Sequence, residues 1–164
     1  MTIRRVELER VSVKSSKPFD MIVATLEGEV GRPEIGEFFR DTNNARTFAE
    51  LESVVHRSLG PTDLMIFMKL DQGAVLRKET GLDTPRIVRY LIGNPLIMKE
   101  MAKHVADAGS YAPVTILIDE RPDGVHLSYD RMASLLAPYE NAEALKVARA
   151  LDSKIEALLE VTAR

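Results

Sequence analysis

Tyr90-Leu-Ile-Gly-Asn-Pro-Leu-Ile-Met98 joins two periodicities near the middle of the chain. Arg86 to Ile92 is a β-branched, apolar run of the kind found in strands, whereas Ile97, Met98, Met101, Val105 and Ala108 recur at helical spacing. Asn94 between them suits a helix cap, because its side-chain oxygen can accept from an N–H of the first turn. Pro95 suits the next position, where a missing N–H costs nothing. The stretch therefore reads as strand, cap and helix.

Working back towards the amino terminus, Pro85 opens the strand, and Ala74 to Glu79 forms a short helical crossover closed by Gly81. Leu64 to Asp71 alternates two mostly apolar faces, as expected of a central strand, with Lys69 and Asp71 on the face of Met65 and Phe67. Thr47 and Glu50 make a capping box for a helix whose stripe is Phe48, Leu51, Val54, Val55 and Leu59, stopped by Gly60-Pro61. Asp41-Thr-Asn-Asn44 reads as loop and Glu37-Phe-Phe-Arg40 as one helical turn. Ser16 is placed to cap a helix carrying Phe19, Ile22, Val23, Leu26 and Val30. Residues 4–13 read as a strand with a bulge near Glu9 and Arg10.

Towards the carboxy terminus, Gly109 ends the central helix, and Val114–Asp119, the turn Pro122-Asp-Gly124 and Val125–Tyr129 make a hairpin. A short helical segment, Ala133 to Leu136, precedes a last helix capped by Asn141 and striped by Leu145, Ala148, Leu151, Ile155, Leu158 and Leu159. The order of elements predicts the α+β class, with a single mixed or antiparallel sheet of about five strands and helices mainly on one face. Residues 1–164 are expected to form one domain, in which 1–45 is an extended amino-terminal segment.

Composition narrows the function. Apolar residues at 45% and charged residues at 29% are ordinary for a globular chain, and 164 residues suffice to bury a full core. The chain has no cysteine, which removes disulfides and thiolate chemistry, and cytoplasm is the default compartment. The longest purely apolar run, Leu64 to Met68, is far too short to span a bilayer. A net charge of −3 with interspersed signs lacks the basic stripe that nucleic acid requires. Three scattered histidines lack metal-ligand spacing, and no cofactor is implied.

Lys69-Leu-Asp71 closes a strand, Gly81-Leu82 lies in the crossover, Gly93-Asn-Pro95 follows a proline-led strand, and Ser128-Tyr-Asp130 ends the hairpin. This order of short motifs resembles the family called domain of unknown function 302. The likeness covers residues 46–164 well and the first 45 poorly. Many members carry histidine directly after the strand-end aspartate, where this chain has Gln72, so a metal or proton-transfer role at that place is not carried over. The resemblance implies a compact α+β sandwich, homodimeric, with no established activity.

The residues singled out for ligand binding are Lys69, Asp71, Gly93, Asn94 and Tyr129. A helix start directly after a strand offers N–H groups and the positive end of a dipole. Lys69 and Asp71 are expected to converge on a ligand or to pair with each other and with Arg89 on the neighbouring strand. Tyr129 alternates with Val125 and Leu127 and so enters the core, its hydroxyl seeking a partner. His126, Ser128 and Asp130 share a strand face but stand roughly 6.5 to 7 Å apart, too far for a triad. Met65, Met68, Met98 and Met101 fit core positions. The second sheet face, with Met65, Phe67 and Leu117 beside Lys69, Arg89, Thr115 and Asp119, suits a dimer interface or a shallow cleft.

The leading expectation is a cytoplasmic, homodimeric, non-catalytic module binding a small ligand or a protein. From another class comes a small enzyme using Lys69 and Asp71 for acid–base work on an anionic or carbonyl substrate beside Gly93-Asn94. That reading requires Lys69, Asp71, Asn94 and Tyr129 to open onto one cavity. A third reading is a structural subunit of a larger assembly.

Overall fold

The computed structural model describes residues 3–164. Its centre is an antiparallel sheet of five strands, β1 (Arg10–Ser15), β2 (Met65–Asp71), β3 (Ile87–Gly93), β4 (Val114–Arg121) and β5 (Gly124–Asp130), in the spatial order β1-β5-β4-β3-β2. The helices are α1 (Phe19–Glu29), α2 (Ile35–Asn44), α3 (Phe48–Ser58), α4 (Gly73–Thr80), α5 (Pro95–Ala102), α6 (Met132–Leu136) and α7 (Ala142–Ala163). The fold is α+β, with the sheet wholly antiparallel.

Residues opposed across an antiparallel ladder share a face, so the register assigns every side chain to a side. Val88, Tyr90, Ile116, Ile118, Leu127 and Tyr129 fall on one side and are buried. They form the main core with Ile22 and Leu26 of α1, Met101 of α5, Met132 of α6 and Ile155 of α7. The other side carries Arg89, Leu91, Thr115, Leu117 and Ser128, none of which joins that core. A second, smaller cluster ties α2 and α3 to the start of β2 through Phe38, Val54, Val55 and Met65.

Leu64 to Asp71 is therefore not a central strand but an edge. Burial falls along it, from Met65, fully buried, to Met68–Asp71, all exposed. Only its beginning is covered on the outer side, where Gly31 N donates to Leu64 O and Ile66 N donates to Gly31 O, both at 2.8 Å. Glycine is needed there because a Cβ at position 31 would lie 1.9 Å from the Ser58 carbonyl oxygen. The register also slips. Ile66 opposes Ile92 and Met68 opposes Leu91, so Phe67 is an inserted bulge residue. Beyond it the alternation inverts, and Lys69 and Asp71 turn to the side of Tyr90 and Val88.

Near the amino terminus, regular pairing begins only at Arg10, without a bulge at Glu9 and Arg10. Glu9 is held instead through Ser134 Oγ and Arg131 N. Pro18, not Ser16, precedes α1, since Ser15 Oγ takes the Lys17 N–H and donates to Ala163 O at 2.6 Å. The single turn expected at Glu37–Arg40 is a ten-residue helix, α2. Glu34 starts it by accepting from Gly36 N and Glu37 N, and Asp41–Asn44 are its last turn, with Thr42 Oγ1 donating to Phe38 O. The Glu34 cap and the burial of Phe38 against α3 and β2 thus carry the helix through residues that favour loops. In α3 the expected cap is present, Glu50 N donating to Thr47 Oγ1, while the Glu50 carboxylate accepts from Arg46 N.

Asp152 on α7 joins three elements. Its carboxylate, 5% exposed, accepts from the Tyr129 hydroxyl at 2.6 Å, Met132 N at 2.7 Å and Ala133 N at 3.1 Å, so it caps α6 from a distance. Burial and the neighbouring carboxylate push the Tyr129 phenol well above its ordinary pKa. Asp152→Ala leaves the Tyr129 phenol and the partly buried Ala133 amide without an acceptor and Met132 N with only its longer bond to Tyr129 Oη at 3.2 Å, and should cost about 2–4 kcal/mol in urea unfolding. Tyr129→Phe, which leaves both amides satisfied, should cost about 1 kcal/mol.

Candidate functional site

Gly93 ends β3 and Asn94 begins α5. Asn94 is 6% exposed, and both ends of its amide are engaged: Oδ1 accepts from Leu96 N at 2.9 Å, and Nδ2 donates to Asp63 O at 3.1 Å. It caps α5 as the sequence predicts, and it also pins the turn before β2. Gly93 allows Pro113 and Phe67 to close in, since a Cβ there would lie 3.3 Å from Pro113 Cβ and 3.7 Å from Phe67 Cε2.

These residues border a cavity of about 260 Å³. Phe38, Phe39 and Thr42 of α2 form one wall, Ile97, Met98 and Met101 of α5 another. Phe67, Pro113 and Leu151 contribute from the bulge, the start of β4 and α7. Phe38 meets Phe67 edge-to-face, ring centres 6.0 Å apart. No charged side chain lines the space, and its two polar side chains, Asn94 and Thr42, already make hydrogen bonds within the protein. An ion entering it would lose its hydration without gaining a partner, whereas an apolar group would gain contacts on several sides.

Of the five residues singled out from the sequence, Gly93 and Asn94 border this cavity, and Lys69, Asp71 and Tyr129 do not. Lys69 Nζ donates to Glu27 Oε1 at 2.6 Å and lies 5.6 Å from the centre of the Tyr90 ring. The Tyr90 hydroxyl donates to the same Glu27 oxygen at 2.7 Å, and Arg32 approaches Oε2 at 3.4 Å. Asp71 accepts from Arg77 Nη2 at 2.6 Å and from Ala74 N at 3.0 Å, and the Arg77 hydrogen bond, opposed by a smaller effect of burial, holds its pKa below the usual range. The expected pairing with Arg89 is absent, because Arg89 donates to Thr115 Oγ1 and lies on the opposite side of the sheet. Tyr129 is spent on Asp152. Lys69, Asp71, Asn94 and Tyr129 thus share no cavity, which was the condition for acid–base work by this set.

His126 bonds Asp123, Ser128 lies beside Ser12 and Asp130 holds Arg10, so these three form no nucleophilic relay. Of the four methionines assigned to the core, Met65 and Met101 are fully buried, Met98 lines the cavity and Met68 is 48% exposed on the edge strand. Phe38, Phe39, Thr42 and Pro113 are cavity residues that sequence reasoning missed. The spacing of Ile35, Phe38 and Thr42 along one helix face was the available signal, masked by Gly36 and the loop-forming residues Asp41, Asn43 and Asn44.

Residues 38–161 match the family model described as Domain of unknown function DUF302, and the chain belongs to that family. A solved structure titled an uncharacterized conserved protein DUF302 from Bacillus stearothermophilus is similar at a TM-score of 0.64 with 13% sequence identity. That similarity covers 94% of this chain and 98% of the other. No curated protein matches. No helix among the described residues is long and apolar enough to cross a membrane.

The Glu27 cluster has a pH signature. Burial raises the pKa of its carboxyl, but the hydrogen bonds from Lys69 and Tyr90 and the charges of Lys69 and Arg32 outweigh that and leave it lowered. A carboxyl with a lowered folded-state pKa stabilises fully above the unfolded value of about 4.3, and the contribution is lost as pH falls through the folded value. Glu27→Gln should therefore be less stable than wild type at about pH 6, with the gap narrowing towards about pH 3, as read by urea unfolding across that range.

Proposed function

We propose that this protein is a binding module for a small, uncharged, apolar ligand held in the cavity at the β3–α5 junction. The observation that carries the reading is the lining, in which no charged side chain is present and the polar side chains are already bonded. A smaller cavity of about 150 Å³ with aliphatic and aromatic walls accommodates benzene, so about 260 Å³ suits roughly ten non-hydrogen atoms. At the efficiencies typical of small ligands, such an occupant binds with a Kd of roughly 10–100 µM. Phe39, half exposed at the rim, is positioned to contact the part of the ligand nearest solvent.

The chain has no tryptophan, so Phe39→Trp introduces a single reporter at the rim. Octan-1-ol, nine non-hydrogen atoms, should shift its emission to the blue saturably and raise the melting temperature. Thr42→Phe, which fills the cavity from α2, should abolish both responses in the Phe39→Trp background while circular dichroism stays native. Absence of any response up to the solubility limit of the alcohol, or an equal response after Thr42→Phe, overturns the reading.

A further inference from the structure

We propose that β2 is the seam of a homodimer, two copies of the strand pairing antiparallel about a two-fold axis at Leu70. The strand is an edge, and among the described residues only its start is covered, by Gly31. Edge strands expose N–H and C=O groups that recruit further strands unless charge, proline or a covering segment protects them. Here the exposed end alternates apolar and charged side chains, Met68, Lys69, Leu70 and Asp71, and its two charges are of opposite sign. Of eleven large hydrophobic residues exposed among the described residues, five lie between positions 68 and 82: Met68, Leu70, Val75, Leu76 and Leu82.

The sequence of the strand selects the register. A two-fold axis perpendicular to the sheet keeps opposed residues on one face, so each allowed self-pairing sets one residue opposite its own copy. Centring on Lys69 opposes two lysines, and centring on Asp71 opposes two aspartates, both repulsive. Centring on Met68 sets Leu70 against the partner's Ile66, whose edge Gly31 already occupies, and Lys69 against the partner's bulged Phe67. Centring on Leu70 sets Lys69 opposite the partner's Asp71 and Asp71 opposite the partner's Lys69, with leucine on leucine between them. Lys69 and Asp71 already hold Glu27 and Arg77, so each new contact extends a row of alternating charge: Glu27, Lys69, the partner's Asp71, the partner's Arg77.

The sheet face opposite the main core offers a weaker case. The backbone N–H and C=O groups of β3, β4 and β5 are already paired on both sides within the sheet, whereas the outer edge of β2 is free of a neighbouring strand.

Because the chain lacks cysteine, single cysteines report the geometry. Sedimentation velocity on wild type should show a reversible dimer with a Kd of about 1–100 µM, in keeping with a short ladder. Leu70→Cys should form a disulfide-linked dimer under mild oxidation, since opposed antiparallel Cα atoms lie within roughly 4.5–5.5 Å. Leu117→Cys on the sheet face should not. Lys69→Asp should weaken the dimer about tenfold by setting aspartate against aspartate, and the swap Lys69→Asp with Asp71→Lys should recover it. Recovery distinguishes the seam from a loss of fold, because the swap breaks the Glu27 and Arg77 pairs and still restores association. A monomer at millimolar concentration, cross-linking through Leu117→Cys instead of Leu70→Cys, or a swap as weak as the single variant each overturns the proposal.

Discussion

One inserted residue, Phe67, governs what the two sides of β2 present. A strand alternates strictly, so an extra residue exchanges the sides of everything after it. Without the bulge, Lys69 and Asp71 would stand on the side of Met65, and Met68 and Leu70 would face the helices. With it, the two charges meet α1 and α4, where Glu27 and Arg77 neutralise them. The two apolar side chains are left outside the main core, exposed at the edge. The bulged ring itself reaches Phe38 of α2 and helps to wall the cavity. A single backbone irregularity thus separates the charged, the apolar and the cavity-lining parts of one seven-residue strand.

That separation explains why the cavity is apolar although charged residues make up more than a quarter of the chain. Glu27 collects a lysine, a tyrosine hydroxyl and an arginine at the flank of the sheet, and Asp152 collects a phenol and two amides between β5, α6 and α7. Each carboxylate is satisfied where it stands. Asn94 does the same at the junction, using its whole amide on backbone partners. The helix start therefore directs no free side-chain amide at an incoming ligand, and apolar contact dominates what the cavity recognises.

Periodic and capping signals carried most of the fold. Asn94 and Pro95, Thr47 with Glu50, and Asn141 are local devices whose partners lie within a few residues, and they start helices where the pattern predicts. The hairpin of β4 and β5 follows from its turn in the same way. What stayed hidden depends on distant chain. The bulge at Phe67 is set by how β2 meets β3, and the length of α2 by Glu34 capping it and by burial of Phe38 against α3 and β2. The edge position of β2 depends on the order of all five strands. For the site, the junction was legible because it is contiguous in sequence. Its opposite wall was not, because α2 lies some fifty residues earlier and reads as polar and glycine-broken.

A cavity of about 260 Å³ with apolar walls is a sizeable recess for a protein of this size. The space opens to solvent past the half-exposed Phe39, so water meets apolar walls that offer it few partners. The cavity lies between two hydrophobic clusters, one built on α1, α5, α6 and α7 and the other on α2 and α3. An apolar occupant would contact both sides at once and so couple the α2–α3 pair to the sheet and its main helical layer. The same bulged strand that borders the space through Phe67 also runs out to the exposed edge, so one element carries both the cavity wall and the sheet's outer rim.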